Sequence, residues 1–294
     1  MHGPLLAAIG DSLSLALGRQ VALCSAQEVG GGCVHHACRA TDGNQSWFVK
    51  VNDASCADLF AAEADGLQGL AQGPLRVPQV ICRGETEGQS FLALEWLDLR
   101  TGAPRDYARL GEQLARLHAL TGPQHGWRRD NFIGSTPQSN AADASWPQFF
   151  GKARLAPQLD LAKKNGHAAL CARGKELIEA LPKLFGGHAP QPSLLHGDLW
   201  GGNAAFLGEG TPVIFDPATY YGDRETDLAM TELFGGFPED FYAAYRAHSP
   251  LDPGYRVRKT LYNLYHVINH ANLFGGGYAE QAARMMEELL NVAR

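Results

Sequence analysis

Long hydrophobic runs are missing from this chain of 294 residues. None approaches the roughly 18 apolar residues that a membrane-spanning helix needs, so no span is expected. An excess of positive charge is missing too. The formal net charge is -6, which argues against nucleic acid and against anionic membrane surfaces as partners. Closely spaced cysteine pairs are absent. Cys24, Cys33, Cys38, Cys56, Cys82 and Cys171 are scattered, and no Cys/His group has zinc-finger spacing. A reducing, cytoplasmic setting is the expectation. The adjacent His35 and His36 would face opposite ways on a strand, so they make no metal site. The N-terminal segment has neither a basic stretch nor a cleavage site, and no secretory leader is expected. Leu5, Ile9, Leu13 and Leu17 recur there at helical spacing. There is no internal repeat and no low-complexity segment.

What is there is an ordinary globular make-up, 45% hydrophobic and 19% charged, in a chain long enough for two lobes. Strand character marks Val21 to Val29, Val34 to Ala40, Trp47 to Val51, Pro78 to Cys82 and Phe91 to Trp96. Thr41 to Asn44 is a hairpin turn of the Asp-Gly kind. A helix is expected from about Ala54 to Leu70. These segments predict a small α+β lobe over residues 1–97, a five-stranded antiparallel sheet with one helix. Beyond it, Leu110, Leu114, Leu117 and His118 share one helical face. A loop rich in Gly, Pro, Ser and Asn spans Thr121 to Asp143. Helices are expected near 146–165, 168–185, 225–234, 239–248, 255–274 and 279–292. Residues 98–294 therefore read as a larger, mainly helical lobe. The lobes would meet near Leu97 to Thr101, where a nucleotide would lie in the cleft.

The chemistry concentrates in HGDLWGGN, His196 to Asn203, and in VIFDPA, which carries Asp216. The first reads as a loop after the apolar Leu194 and Leu195. A hairpin follows, with Val213, Ile214 and Phe215 on its return strand. His-x-Asp-x-x-x-x-Asn, then Asp after an apolar strand, is the spacing of a kinase catalytic loop and its metal aspartate. Asp198 would accept the proton of a substrate hydroxyl. Asn203 and Asp216 are hard oxygen ligands suited to Mg²⁺. Taken alone, the same residues fit an Asx-rich turn.

Lys50 lies inside an apolar strand, in FVKV, and Glu63 on the next helix is placed to pair with it. Together they fit the lysine that steadies the ATP phosphates and its partner carboxylate. Gly30, Gly31 and Gly32 join two strands and would let backbone N–H groups approach phosphate, although a plain hairpin turn has the same composition. Glu95, Trp96 and Leu97 end the last strand, where a backbone edge would meet adenine. His196 is expected to tie the loop to neighbouring backbone. Asp227 would open its helix and accept loop N–H groups, with Glu225 in a similar role. Trp200, inside the loop, would stack on the substrate or anchor the loop in the core.

Asp216 is followed by Pro217 and Ala218, and a helix near Glu225 leaves no room for an activation segment. A small-molecule hydroxyl, not a protein side chain on a platform, is the expected acceptor. HGDLWGGN with DPATYYGDRETDLAMTELFGGF resembles the fructosamine kinase (ketosamine 3-kinase) family. GGGCVHH, FVKVN, NFIGSTPQ and the stretch from Trp146 to Gln158 carry the same resemblance, in order, over nearly the whole chain. The resemblance implies a protein-kinase-like fold akin to aminoglycoside and choline kinases. It also implies ATP-dependent phosphorylation of the sugar 3-hydroxyl of fructosamine, ribulosamine or erythrulosamine adducts, a deglycation repair step. It suggests Asn131, Phe132, Gln138 and Arg154 as pocket residues and Cys33 as a redox switch, the latter also fitting a small buried residue. Asp223 departs from the family's usual His and is expected to alter a hydrogen bond near the metal loop. Kinases for aminoglycosides, choline or homoserine, or a non-catalytic pseudokinase, are the competing readings. Monomer and dimer are both open.

Overall fold

The computed structural model describes residues 3–30, 36–86 and 88–294. Helix α1 (Gly3–Leu17) buries Leu5, Ile9 and Leu13, whereas Leu17, at the end of the same stripe, is exposed. Five strands follow: β1 (Ser25–Glu28), β2 (His36–Thr41), β3 (Ser46–Asp53), β4 (Val80–Thr86) and β5 (Gln89–Glu95). They form one antiparallel sheet in the order β1-β2-β3-β5-β4. Helix α2 (Ala57–Leu70) lies between β3 and β4 in sequence.

Side chains alternate across β3. Trp47, Val49 and Val51 pack with Leu5, Ile9 and Leu13 of α1. Lys50 therefore points to the opposite face, where Phe60 and Leu67 of α2 pack with Leu92 and Leu94. β4 runs from Val80 to Thr86, not from Pro78 to Cys82, with a bulge between Val80 and Cys82. It is an edge strand, and polar residues such as Arg83 and Glu85 hide it from an apolar pattern.

The remainder is mostly helical. Helix α3 (Pro104–His118) is followed by a short hairpin of β6 (Asn131–Ile133) and β7 (Thr136–Gln138), inside the segment expected to be loop. Helix α4 (Trp146–Phe149) passes through a π-helical turn, Phe150–Leu155, into α5 (Ala156–Lys164); α6 (Ala168–Phe185) packs against α5. Then come β8 (Ser193–Leu195), β9 (Ala204–Phe206), β10 (Pro212–Ile214) and β11 (Tyr220–Gly222). The chain ends in α7 (Glu225–Leu233), α8 (Glu239–His248), α9 (Tyr255–Phe274) and α10 (Tyr278–Ala293).

The apolar core is continuous between the two parts. Phe60, Leu67, Leu92 and Leu94 from the first join Leu114, Leu194, Phe206, Ile214 and Phe241 from the second. Asp65 of α2 accepts Trp127 Nε1 at 2.5 Å and Arg128 Nε at 2.7 Å, clamping α2 onto the helical part. Burial of this kind stabilises by about 1.5–3 kcal/mol per large apolar side chain. It holds β3 and α2 at a set distance from β8 to β11.

Candidate active site

The site is built where two short ladders end. β8 pairs with β11 and β9 pairs with β10, both antiparallel. The loop 196–203 therefore leaves from one ladder and enters the other, and the 215–219 turn lies beside it. Ala218 N donates to His196 O at 2.9 Å and Phe215 N to Asn203 O at 3.1 Å, stitching the two segments together. Gly197 has φ +83°, and a Cβ there would lie 2.2 Å from Ala218 O, so no side chain fits. Asp216 has φ +56° and, among the described residues, is the single non-glycine in the left-handed region. Such a conformation costs on the order of 1 kcal/mol and persists because its surroundings hold it.

The expected residues converge. Lys50 Nζ lies 2.8 Å from Glu63 Oε1 and also pairs with Asp216 Oδ1. Asn203 Nδ2 donates to Asp198 O at 2.8 Å, to Asp198 Oδ2 at 3.3 Å and to Asp216 O at 3.5 Å. Two carboxylates, those of Glu63 and Asp216, thus face one ammonium. Burial opposes the Lys50 charge, but Glu63 and Asp216 more than offset it and hold the ammonium's pKa above its usual value. Burial, then the charge of Asp216, push the Asp198 carboxyl up to about 7. Burial also pushes Glu63 up to about 7 against the pull of Lys50. Asp216 stays below the usual carboxylate range, since Lys50 outweighs the burial that opposes its charge.

The supports of the loop are equally specific. His196 Nε2 lies 3.0 Å from Phe215 O, and burial keeps the imidazole neutral. Asp227 accepts His196 N and Gly197 N, each at 2.8 Å, and meets His118 Nε2 at 3.2 Å. Burial opposes the Asp227 charge, and the His118 bond outweighs it. Asp227 sits in the first turn of α7 rather than capping it; Asp223 accepts Glu225 N instead.

Other placements correct the sequence reading. Glu225 does not reach the loop: it holds the buried Arg258 through two bonds, at 2.7 and 2.9 Å. The Asp223 side chain turns to Tyr262 Oη at 2.5 Å and His188 Nε2 at 2.7 Å, not to the metal loop. Asn131, Gln138 and Arg154 are interior braces rather than pocket walls. Asn131 Nδ2 donates to Thr219 O, and Gln138 Nε2 to Asn131 Oδ1, each at 2.8 Å. Arg154 is fully buried, its guanidinium 4.0 Å from the centre of the Tyr220 ring and bonded to Ser139 O and Asn140 Oδ1. Phe132 is half-buried on β6.

Trp200 is no core anchor: it is 39% exposed, lies over Gly202, and meets Phe234 edge-on at 6.4 Å. Glu95 pairs with Arg76, and Trp96 Nε1 donates to Asp98 at 2.9 Å. Leu97 lies just beyond the end of β5. Gly31, Gly32 and Cys33, expected at the phosphate loop, lie outside the described residues; at Gly30 a Cβ would meet open space.

Sequence reasoning missed the role of His118, whose one signal was a polar side chain closing an apolar helical stripe. It also missed Phe234 and His270, 4.8 Å apart between ring centres, which no local pattern links to Trp200.

A family model described as fructosamine kinase matches residues 5–292. A protein of Synechocystis sp. named as a probable ketoamine kinase is 46% identical over 286 residues, covering 97% of this chain and 96% of that protein. A chloroplastic protein-ribulosamine 3-kinase of Arabidopsis thaliana is 39% identical over 285 residues, 95% of this chain and 87% of its own. A crystal structure from Haemophilus somnus, assigned by name to the fructosamine-3-kinases, superposes with a TM-score of 0.88 at 30% identity, covering 96% of each chain. An aminoglycoside phosphotransferase shares the fold at a TM-score of 0.63 and 15% identity, over 98% of this chain and 99% of its own.

Proposed function

The chain belongs to the fructosamine kinase family, and from that premise we propose that it transfers the γ-phosphoryl of ATP to the sugar 3-hydroxyl of ketosamines. Fructosamine, ribulosamine or erythrulosamine adducts of amines are the substrate class, and the 3-phosphate would open a deglycation route. The observation that carries the reading is the convergence of Asp198, Asn203 and Asp216 with the Lys50–Glu63 pair. Two relatives bear ketoamine or ribulosamine kinase names. We place the lobe boundary at 97/98, with ATP between the lobes, and the protein in the cytoplasm. Among the described residues every cysteine is free, and no helix is long and apolar enough to cross a membrane.

Asp198 orients the 3-hydroxyl and takes its proton as that oxygen bonds to phosphorus and the ADP oxygen leaves. A carboxyl raised toward 7 is poised for that exchange near neutral pH. Lys50, fixed by Glu63, holds the triphosphate in line. Trp200 offers an open aromatic face for the sugar or its amine substituent. The donor set fits Mg²⁺. Asn203 commits its Nδ2 to the loop and leaves Oδ1 as a neutral oxygen donor beside Asp216, and the carboxylates outnumber the one ammonium. When bound there, the ion would neutralise phosphate charge.

The test is ADP release with ribulose- or fructose-modified lysine, kanamycin, choline and no acceptor. Ketosamine-dependent release is expected, with the phosphate at C3 by NMR. Release that ignores the ketosamine defeats the proposal.

A further inference from the structure

Among the described residues few large apolar side chains are exposed, and two of them, Trp200 at 39% and Phe274 at 57%, sit at opposite ends of one series of rings. Trp200 meets Phe234 at 6.4 Å, Phe234 meets His270 at 4.8 Å, and His270 meets Phe274 at 5.4 Å and Tyr278 at 5.2 Å. These rings come from the catalytic loop, the end of α7, the last turns of α9 and the start of α10. Burial holds the His270 imidazole below its usual pKa, so the middle of the series is a neutral ring.

We infer that Phe274 and Tyr278 form a docking strip for the polypeptide that carries the acceptor lysine, an inference that rests on the ketosamine reading of the site. Reach decides the occupant. With the sugar against Trp200, a lysine side chain adds about 7 Å, close to two residues of extended chain. Laid along the ring series from Trp200, that span ends near Phe234, and Phe274 lies two further ring steps on, of 4.8 and 5.4 Å. A free amino-acid adduct leaves the outer rings uncovered. A peptide continuing from the lysine at about 3.3 Å per residue lies across them. The partner is therefore an extended segment flanking the modified lysine. Aromatic faces attract the cationic and apolar side chains such a segment offers, and the net charge of -6 favours basic ones.

The experiment compares two acceptors, ribulose-modified Nα-acetyl-lysine and the same modified lysine within a short unstructured peptide. They are assayed on the wild type and on Phe274→Ala, with thermal melting to confirm folding. The peptide-to-free ratio of kcat/KM is expected to fall about five- to tenfold in the variant, through KM. Phe274→Tyr, which keeps the ring, is expected to restore it. An unchanged ratio overturns the inference while leaving the ketosamine reading intact. An unchanged ratio together with loss of self-association on sedimentation assigns the rings to a second copy of the chain, and likewise overturns it. If the wild type phosphorylates neither acceptor, the functional reading fails and takes this inference with it.

Discussion

Asp198 combines two demands that pull against each other. A proton acceptor for a sugar hydroxyl must sit where water is scarce, yet a half-buried carboxylate beside Asp216 is electrostatically costly. Asn203 answers part of that cost with its donor Nδ2 at 3.3 Å, and the raised carboxyl shows that the rest is unmet. Asp198→Asn should therefore separate function from stability. ADP release is expected to fall by about 10²–10⁴-fold, the usual worth of a positioned acid or base. The melting temperature should hold or rise, since a like-charge contact between two half-buried groups is removed. A variant that melts much lower, or that keeps its activity, contradicts the role given to Asp198. The same separation is not expected at Asp227. Its two oxygens accept the N–H groups of His196 and Gly197, and an amide NH₂ in place of one would face a donor.

The elements are positioned by close backbone approaches as much as by apolar faces. Helices α3 and α8 cross so closely that a Cβ on Gly111 would lie 2.2 Å from Phe241 O. Both helices carry parts of the Asp227 support, His118 on α3 and its partner Tyr245 on α8, at 2.8 Å. Gly111→Ala is thus expected to cost about 1–3 kcal/mol by forcing the helices apart, read as a lower midpoint in urea. Gly208→Ala, where a Cβ meets open space, should stay within about 0.5 kcal/mol of the wild type. Equal effects at both positions would show that the crossing is not the cause. Elements were legible in the sequence where a local period coincides with burial. The stripe of Leu110, Leu114 and Leu117 predicts α3, because period and burial coincide there. Strands β6, β8, β9 and β11 are three residues each, too short for a period, and their partners lie at distances no local rule encodes. The motif residues of the site were legible because their spacing carries the chemistry. The roles of Asn131, Gln138 and Arg154 were not, since their partners depend on how β6, β7 and the π-turn fold back on residues 218–220.

At the scale of the whole molecule, the buried titratable groups set opposed pH dependences. Asp198 and Glu63, each near 7 when folded, take up protons before the unfolded chain does, so their contribution to stability grows as pH falls below 7. His266 acts in the other direction. It is buried on α9 with Nδ1 unpartnered, and burial, then the neighbouring His270, push it from 6.5 down to about 3. Asp227 pulls it up and Arg154 pushes it further down, both more weakly. The folded state keeps it neutral while the unfolded chain charges it. Stability is therefore lost as pH falls from 6.5 toward about 3, by up to about 1.4 kcal/mol for each unit. Because the carboxyls oppose this loss, the wild-type curve alone does not reveal it. His266→Phe keeps a ring beside Tyr265, now 5.1 Å away edge-on, and removes the ionisation. The difference in unfolding free energy between variant and wild type should be flat above pH 7 and move steadily in favour of the variant between pH 6.5 and 4. A difference independent of pH would mean that the folded protein admits a charged His266, and that the centre of α9 is open to water.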